Sequence, residues 1–469
     1  MQNYIGVLPI GWLAFGGLLT LIGGTFPHLR RGIPILSLSV ALFGALGSFY
    51  LAATYPHPRS SFLGMIWGGG LYSFISGFIA VVGMLALLFL WRHLQQNKDK
   101  DWEIFPLSLI LMAALATLPA SNHLLLSVVA LETVSLGAYA LVGLSWDNRY
   151  APEAAVKYFL LGAIGFAFLL FGLSYLYGLT GSLYFHHLWA MKWEAWAEHP
   201  LFALGMGLIG IGLLFKLAVF PFHWWAPDAY GGATPAAAGW IVALGKLNGA
   251  FLAGILLHYI LIPQQWLSAL AGIAAVSSLY GNLLAIRQDN LQRMLGYSSV
   301  AHGGYLLLAL VSGPEGRLQA WAYSLLYALT SVIAFGLLSL REEPLEYKSL
   351  RGLGYQEPGY AAALALSFAS LSGMPPLVGF FAKYGVFVAG FRAGHFIAAS
   401  VALIGALMGY FAYWRPISWL YQRGKALTLK MPILAIGAIL LLLIGVLPLM
   451  VWGWMDYLYG IAGFFLARP

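Results

Sequence analysis

Glu132, Lys157, Lys216, Lys246 and Lys383 each fall within an apolar stretch long enough to cross a membrane. A charged side chain near the bilayer centre costs at least ~2.5–3.5 kcal/mol on insertion scales. Packing alone gives no reason to meet that cost five times in one chain. Ionisable groups strung along apolar segments in this way predict a path for protons or small cations.

Composition sets the class. Hydrophobic residues make up 61% of the chain and charged residues 9%, with a mean hydropathy of +0.82, where a soluble domain carries about 25% charge. Apolar runs recur from Ile5 to Trp454 and predict fourteen spans, at 4–24, 33–54, 69–91, 105–120, 123–144, 154–178, 202–222, 233–257, 265–286, 294–312, 318–340, 359–390, 395–414 and 431–454. Most are near the ~20 residues a crossing helix needs. The twelfth is too long for one straight helix and contains Pro375 and Pro376, where it is expected to break. The expected fold is an all-α polytopic membrane protein with no separate soluble domain.

The 469 residues include no cysteine, so disulfides, thiolate-ligated zinc and cysteine-held iron–sulfur clusters are excluded from this chain. None of the 11 histidines pairs at metal-ligand spacing. His186 and His187 are adjacent, so they are expected to point to different sides of a helix. No Walker-type phosphate loop occurs, and the 56 glycines are spread through the spans, as suits close helix packing in membranes. Met1, Gln2 and Asn3 give the first span no basic flank, so no cleavable signal peptide is expected.

The net charge of +8 reads as topology. Alternating the loops between two sides puts five basic residues with the N-terminus: Arg59, Lys192, Arg317, Arg392 and Arg468. Fifteen fall on the other side, from Arg30 and Arg31 through Arg287, Arg293 and Arg341 to Arg423, Lys425 and Lys430. The positive-inside rule makes the second side cytoplasmic. Both termini then face away from the cytoplasm.

An internal duplication is also expected. Lys216 precedes Pro221 in the seventh span, and Pro375-Pro376 precedes Lys383 in the twelfth. An offset of five spans inverts the second copy, and inverted repeats with broken helices place ion sites near the midplane. The expected units are residues 1–100 (spans one to three), 101–258 (first repeat, spans four to eight), 259–415 (inverted repeat, spans nine to thirteen) and 416–469 (span fourteen).

The most specific segment runs from Lys216 to Pro235, KLAVFPFHWWAPDAYGGATP. It sets a lysine inside a span, then a proline, an aromatic belt and Asp228 at the cytoplasmic surface. Trp224, Trp225 and Tyr230 suit interfacial anchoring, and Pro227 and Pro235 suit a turn and the first turn of the next helix. Snorkelling is the plain alternative for Lys216.

This segment resembles the Lys-x4-Pro-Phe-His-x-Trp-x-Pro-Asp-x-Tyr motif of the antiporter-like subunits of proton-pumping NADH:quinone oxidoreductase, respiratory complex I. Leu131-Glu132, the run KYFLLGA from Lys157 with YGLTGS from Tyr177, NLQRMLGYSSVAHGGY from Asn290 to Tyr305, and LSGMPPLVGFFAK from Leu371 to Lys383 extend the resemblance over most of residues 100–420. Among the three large subunits of this kind the likeness is to subunit N. Lys383 stands where subunit M carries Glu, and no long amphipathic C-terminal helix like that of subunit L is evident. The chain departs from the family at Ile66–Tyr72, where an Asp often opens the third span.

The resemblance implies roles. Glu132 and Lys216 would form a half-channel pair: the carboxylate keeps the lysine charged, and desolvation lets the proton leave when the pair separates. Lys246 would connect to it through water, and Lys383 would hold the equivalent place in the second half. His302 is a candidate relay, since imidazole titrates near physiological pH; a structural histidine is the alternative. Lys157 would tune the pair or snorkel to the surface. His223 and Asp228 would shape the proton entrance or anchor the turn. Ser135, Tyr139, Asn248, Ser298, Ser299, Tyr305, Tyr327 and Ser331 are candidates to hold water, or are helix contacts. The resemblance further implies a non-redox subunit of a translocase in a bacterial inner membrane, among other membrane subunits. NADH, FMN, iron–sulfur clusters and quinone would belong to those partners, with no cofactor here and no nucleic acid. A cation/proton antiporter or membrane-bound hydrogenase subunit of the same superfamily is the alternative. A solute transporter would need clustered specificity groups, and these are strung out.

Overall fold

In the computed structural model the described residues are 4–422, apart from 97–101, 145–149, 192, 194–195, 197–198, 261 and 342–344. The fourteenth expected span and the C-terminal residues lie outside them. The helices are α1 (Val7–Thr25), α2 (Ile33–Thr54), α3 (Gly70–Gln96), α4 (Ile104–Ala120), α5 (Leu124–Gly143), α6 (Ala151–Thr180), α7 (Phe185–Trp189), α8 (Pro200–Lys216), α9 (Trp225–Gly232), α10 (Pro235–Tyr259), α11 (Gln264–Ile286), α12 (Leu291–Leu310), α13 (Gly313–Leu338), α14 (Leu353–Gln356), α15 (Pro358–Ser372), α16 (Val378–Arg392) and α17 (Phe396–Leu420). Two short antiparallel strands, β1 (Arg59–Ser61) and β2 (Ile66–Gly68), form a hairpin before α3. Nine of the described helices are long and apolar enough to cross a membrane. The chain is a multi-pass helical membrane protein.

Burial grades the helices from centre to rim. Of the apolar windows of α10 and α13, 89% is buried, against 33% for α6. α10 and α13 pack along each other, and the outer faces of α1, α2, α6 and α17 carry exposed Leu, Ile and Phe such as Phe15, Phe43, Phe171 and Phe411. In lipid such faces need no cover, because acyl chains are as apolar as the side chains themselves.

Two helices break inside the apolar layer, and they break alike. α8 stops at Lys216: Ala218 turns left-handed at φ +52° and the Val219 amide donates to the Leu214 carbonyl at 3.2 Å. α15 stops at Ser372: Gly373 is left-handed at φ +90° and the Met374 amide donates to Ala369 at 3.0 Å. Both are Schellman-type endings. Cis bonds at Phe220–Pro221 and Pro375–Pro376 follow, and the chain resumes as α9 and α16.

The seventh span therefore differs from its expectation of 202–222. The segment expected to be an interfacial turn is instead helix α9, with Pro227 in its first turn, where a missing amide costs nothing. Of the three aromatics read as interfacial, Trp224 is 70% exposed, whereas Trp225 and Tyr230 are 3% and 1% exposed. Helical periodicity carries them inward.

The end of α9 is tied down from α12. Buried Gln292 donates its Nε2 to the carbonyls of Tyr230 and Ala233, both at 2.8 Å. Gln292→Leu leaves two buried carbonyls unpaired and should destabilise the protein by about 1–3 kcal/mol. A thermal melt of the detergent-solubilised protein that does not shift would contradict this tie.

Candidate functional site

α5 and α8 bring Glu132 and Lys216 together from 84 positions apart in the chain: Lys216 Nζ lies 3.3 Å from Glu132 Oε2. The same ammonium donates to Ser135 Oγ at 2.6 Å, and it sits 6.0 Å from the Tyr139 ring and 5.9 Å from the Phe166 ring. Side-chain exposure is 6% for Lys216 and 16% for Glu132. Ser135 is one turn from Glu132 on α5, so one face of that helix supplies both partners. A small cavity of about 10 Å³, about the room one water needs, adjoins the pair, lined by Ser135, Tyr139, Tyr158, Lys216, Trp225 and Asn248 among others.

Lys246 and Lys383 have a different setting. Among the described residues no carboxylate lies within ion-pair distance of either. Lys246 Nζ donates to the Leu217 carbonyl at 2.5 Å, the residue that follows Lys216 at the α8 break. Lys383 Nζ donates to the Leu371 and Ser372 carbonyls at 2.9 and 2.7 Å, at the α15 break, and lies 5.2 Å from the Tyr305 ring. A broken helix leaves carbonyls without amide partners, and in an apolar layer each unpaired one costs several kcal/mol. The two lysines satisfy them. By its contacts Lys383 matches Lys246, not the acid-paired Lys216.

His302 is near both lysines: it lines one cavity with Lys383, and a Cβ on the next residue, Gly303, would lie 2.9 Å from Lys246 Nζ. Its Nδ1 is bonded to Tyr323 Oη at 2.7 Å and its Nε2 to Tyr413 Oη at 3.1 Å. Tyr413 in turn bonds Ser298. The partners are thus two phenols rather than a backbone carbonyl. A second cavity, about 10 Å³, is lined by His302, Tyr323, Tyr327 and Lys383 among others. Asn282 donates to Tyr305 Oη at 2.8 Å, Asn248 donates to the Leu131 carbonyl at 3.1 Å, and Ser299 and Ser331 are buried.

Lys157 does not join the interior. The buried positions of α6 are Ala151, Ala154, Tyr158, Gly162, Gly165 and onward, a stripe of helical period that misses position 157. Its side chain is 50% exposed and pairs with Glu153 at 2.6 Å and Asp228 at 3.8 Å. Asp228 also faces Arg293 at 3.7 Å. His223 is buried, with its ring against Phe220 and Tyr280. The His186 and His187 rings lie 4.2 Å apart, not on opposite sides as adjacency suggests. Each has its own partner, Asn122 and Ser182, and burial followed by the His187 charge holds the His186 imidazole below its ordinary range. Among the described residues no group of three metal-ligating side chains gathers.

Reading residues alone missed Tyr323 and Tyr413, as well as the Leu217, Leu371 and Ser372 carbonyls. The one available signal was the Tyr323/Tyr327 spacing of four, which places both on one face of α13.

Broken helices, buried lysines and one buried ion pair define a multi-pass protein built to hold charge within a membrane. The chain belongs to the family described as NADH:quinone oxidoreductase/Mrp antiporter, TM, whose profile matches residues 121–409. It is 35% identical over 480 residues to NADH-quinone oxidoreductase subunit N of Polaromonas naphthalenivorans, covering 95% of each chain. A chain of respiratory complex I from Thermus thermophilus with bound aureothin matches at TM-score 0.77 and 31% identity, covering 94% of this chain and 98% of that one. A chain of the Mrp complex from Dietzia sp. shares the fold, at TM-score 0.75 and 21% identity over 92% of this chain and 82% of that one.

Gly303 lets α12 approach the Lys246 contact: a Cβ there would lie 2.4 Å from the Leu217 carbonyl and 2.9 Å from Lys246 Nζ. Overpacking of this kind costs about 1–3 kcal/mol. Gly303→Ala should therefore lower the melting temperature of the solubilised protein, whereas Gly207→Ala, with nothing within 4 Å of the added carbon, should not. Equal melts for the two would count against a tight lysine–carbonyl contact.

Proposed function

We propose that this chain is a proton-translocating membrane subunit of an NADH:quinone oxidoreductase, with redox chemistry carried by partner subunits. The observation that carries the reading is the Glu132–Lys216 pair, 3.3 Å apart and mostly buried, with two further buried lysines whose ammonium groups bond backbone carbonyls. A carboxylate beside an ammonium stabilises its charged form, and separating the two favours proton release. The proton then passes to Lys246 and on to Lys383, with His302 as a candidate relay. Ser135, Tyr139 and Asn248 line the first cavity, and Tyr323 and Tyr327 the second, which suits water-mediated steps. Lys383 delivers the proton to the non-cytoplasmic side or to a neighbouring subunit.

The two like breaks support an inverted repeat within a fourteen-helix chain, with half-channels over residues 101–258 and 259–415. The bias of basic loop residues supports termini on the non-cytoplasmic side of a bacterial inner membrane. NADH, FMN, iron–sulfur clusters and quinone are assigned to other subunits of a hetero-oligomer. A cation/proton antiporter subunit is the second reading, favoured by the fold shared with the Mrp complex.

Lys216→Ala tests the first reading. In membranes containing the assembled complex, NADH-driven proton uptake should fall roughly tenfold or more, as when a proton-transfer group is lost, while the complex still assembles. Lys216→Arg should be impaired too, since guanidinium does not give up its proton. Wild-type proton uptake in the Ala variant would contradict the role.

A further inference from the structure

The cavity beside Lys216 is closed on one side by aromatic rings. Tyr158 lies flat on Trp225, with centroids 4.3 Å apart and planes 6° from parallel. Tyr139 meets Tyr158 edge-on at 4.4 Å. Trp225 Nε1 donates to the Phe215 carbonyl at 3.3 Å, one residue before Lys216. Tyr158 comes from α6 and Trp225 from α9, so the wall has a seam between two elements. Neither ring is ionisable in the manner of the lysines, and packing against the cavity leaves both nearly inaccessible.

An ion pair spans the same seam at the surface. Lys157 precedes Tyr158 in the chain, and Asp228 lies three residues after Trp225 on α9. They face each other at 3.8 Å with side chains 50% and 43% exposed. Each has a second partner that does not cross the seam: Lys157 has Glu153 on its own helix at 2.6 Å, and Asp228 has Arg293 of α12 at 3.7 Å. When the cross-helix pair opens, neither charge is stranded. Exposed pairs of this length are weak, so this one can part and re-form.

We propose that Tyr158 and Trp225 form a gate between the basic side of the membrane and the Lys216 cavity, and that Lys157 and Asp228 latch it, Lys157 releasing Asp228 for Glu153 as the gate opens. This rests on the reading of Lys216 as a proton carrier. It makes Lys157 a positioning residue, outside the proton path itself.

The absence of cysteine gives a clean reporter. Ala138 lines the cavity, and in Ala138→Cys the assembled complex in membrane vesicles is exposed on its basic side to a small cationic methanethiosulfonate. Modification is read as a mass shift of this chain. Asp228→Asn should speed it roughly threefold, the worth of an exposed pair. Tyr158→Ala, which loses the ring stack, should speed it roughly tenfold, and Tyr158→Phe should leave it unchanged. Equal rates in all four proteins would overturn the gate. They would leave the role of Lys216 standing, because that role is read from proton uptake in the Lys216→Ala complex.

Discussion

Backbone carbonyls freed inside an apolar layer must find donors, and in this chain lysines supply them. α8 and α15 each end within the layer, and the carbonyls of Leu217, Leu371 and Ser372 are met by the ammonium groups of Lys246 and Lys383. A helix that ran straight through would satisfy its own carbonyls and have no use for buried lysines. A lysine without a break would face apolar side chains at a large desolvation cost. Break and lysine each make the other tolerable, and together they leave a protonatable group deep in the bundle. The rest of the architecture serves that arrangement: α10 and α13 form the buried centre, and α12 brings His302 beside it.

Lys216 is the exception, and its difference has chemical consequences. Its partner is a carboxylate, so it belongs to an ion pair whose separation changes the free energy of the bound proton. The other two lysines meet fixed dipoles instead. A charge pair and two dipole-held lysines are thus unlike sites, and under the proposed function that difference would give the transfer its direction. His302 is bonded to two phenols, Tyr323 and Tyr413, rather than to a carboxylate.

The spans were legible because lipid imposes long apolar runs, and the breaks because proline interrupts them. Contacts were not legible from residues alone. Glu132 and Lys216 are 84 positions apart, and only the family motif brought them together; the His302–Tyr413 bond spans 111 positions and no motif pointed to it. The apolar run around Lys157 leaves it open between tuning the buried pair and snorkelling to the surface. The phase of α6 carries it outward, and the buried small-residue stripe through Ala154, Gly162 and Gly165 held that information. Trp225 and Tyr230 were misplaced for the opposite reason, since their segment reads as a turn and folds as a helix.

If the ion pair acts as one unit, disabling either member stops the same step. The direct measurement is a double-mutant cycle on NADH-driven proton uptake in membranes carrying the assembled complex, with Glu132→Gln, Lys216→Met and the two combined. The account predicts that the double variant pumps no worse than the poorer single one. Losses that multiply would show two independent residues and would contradict the paired site.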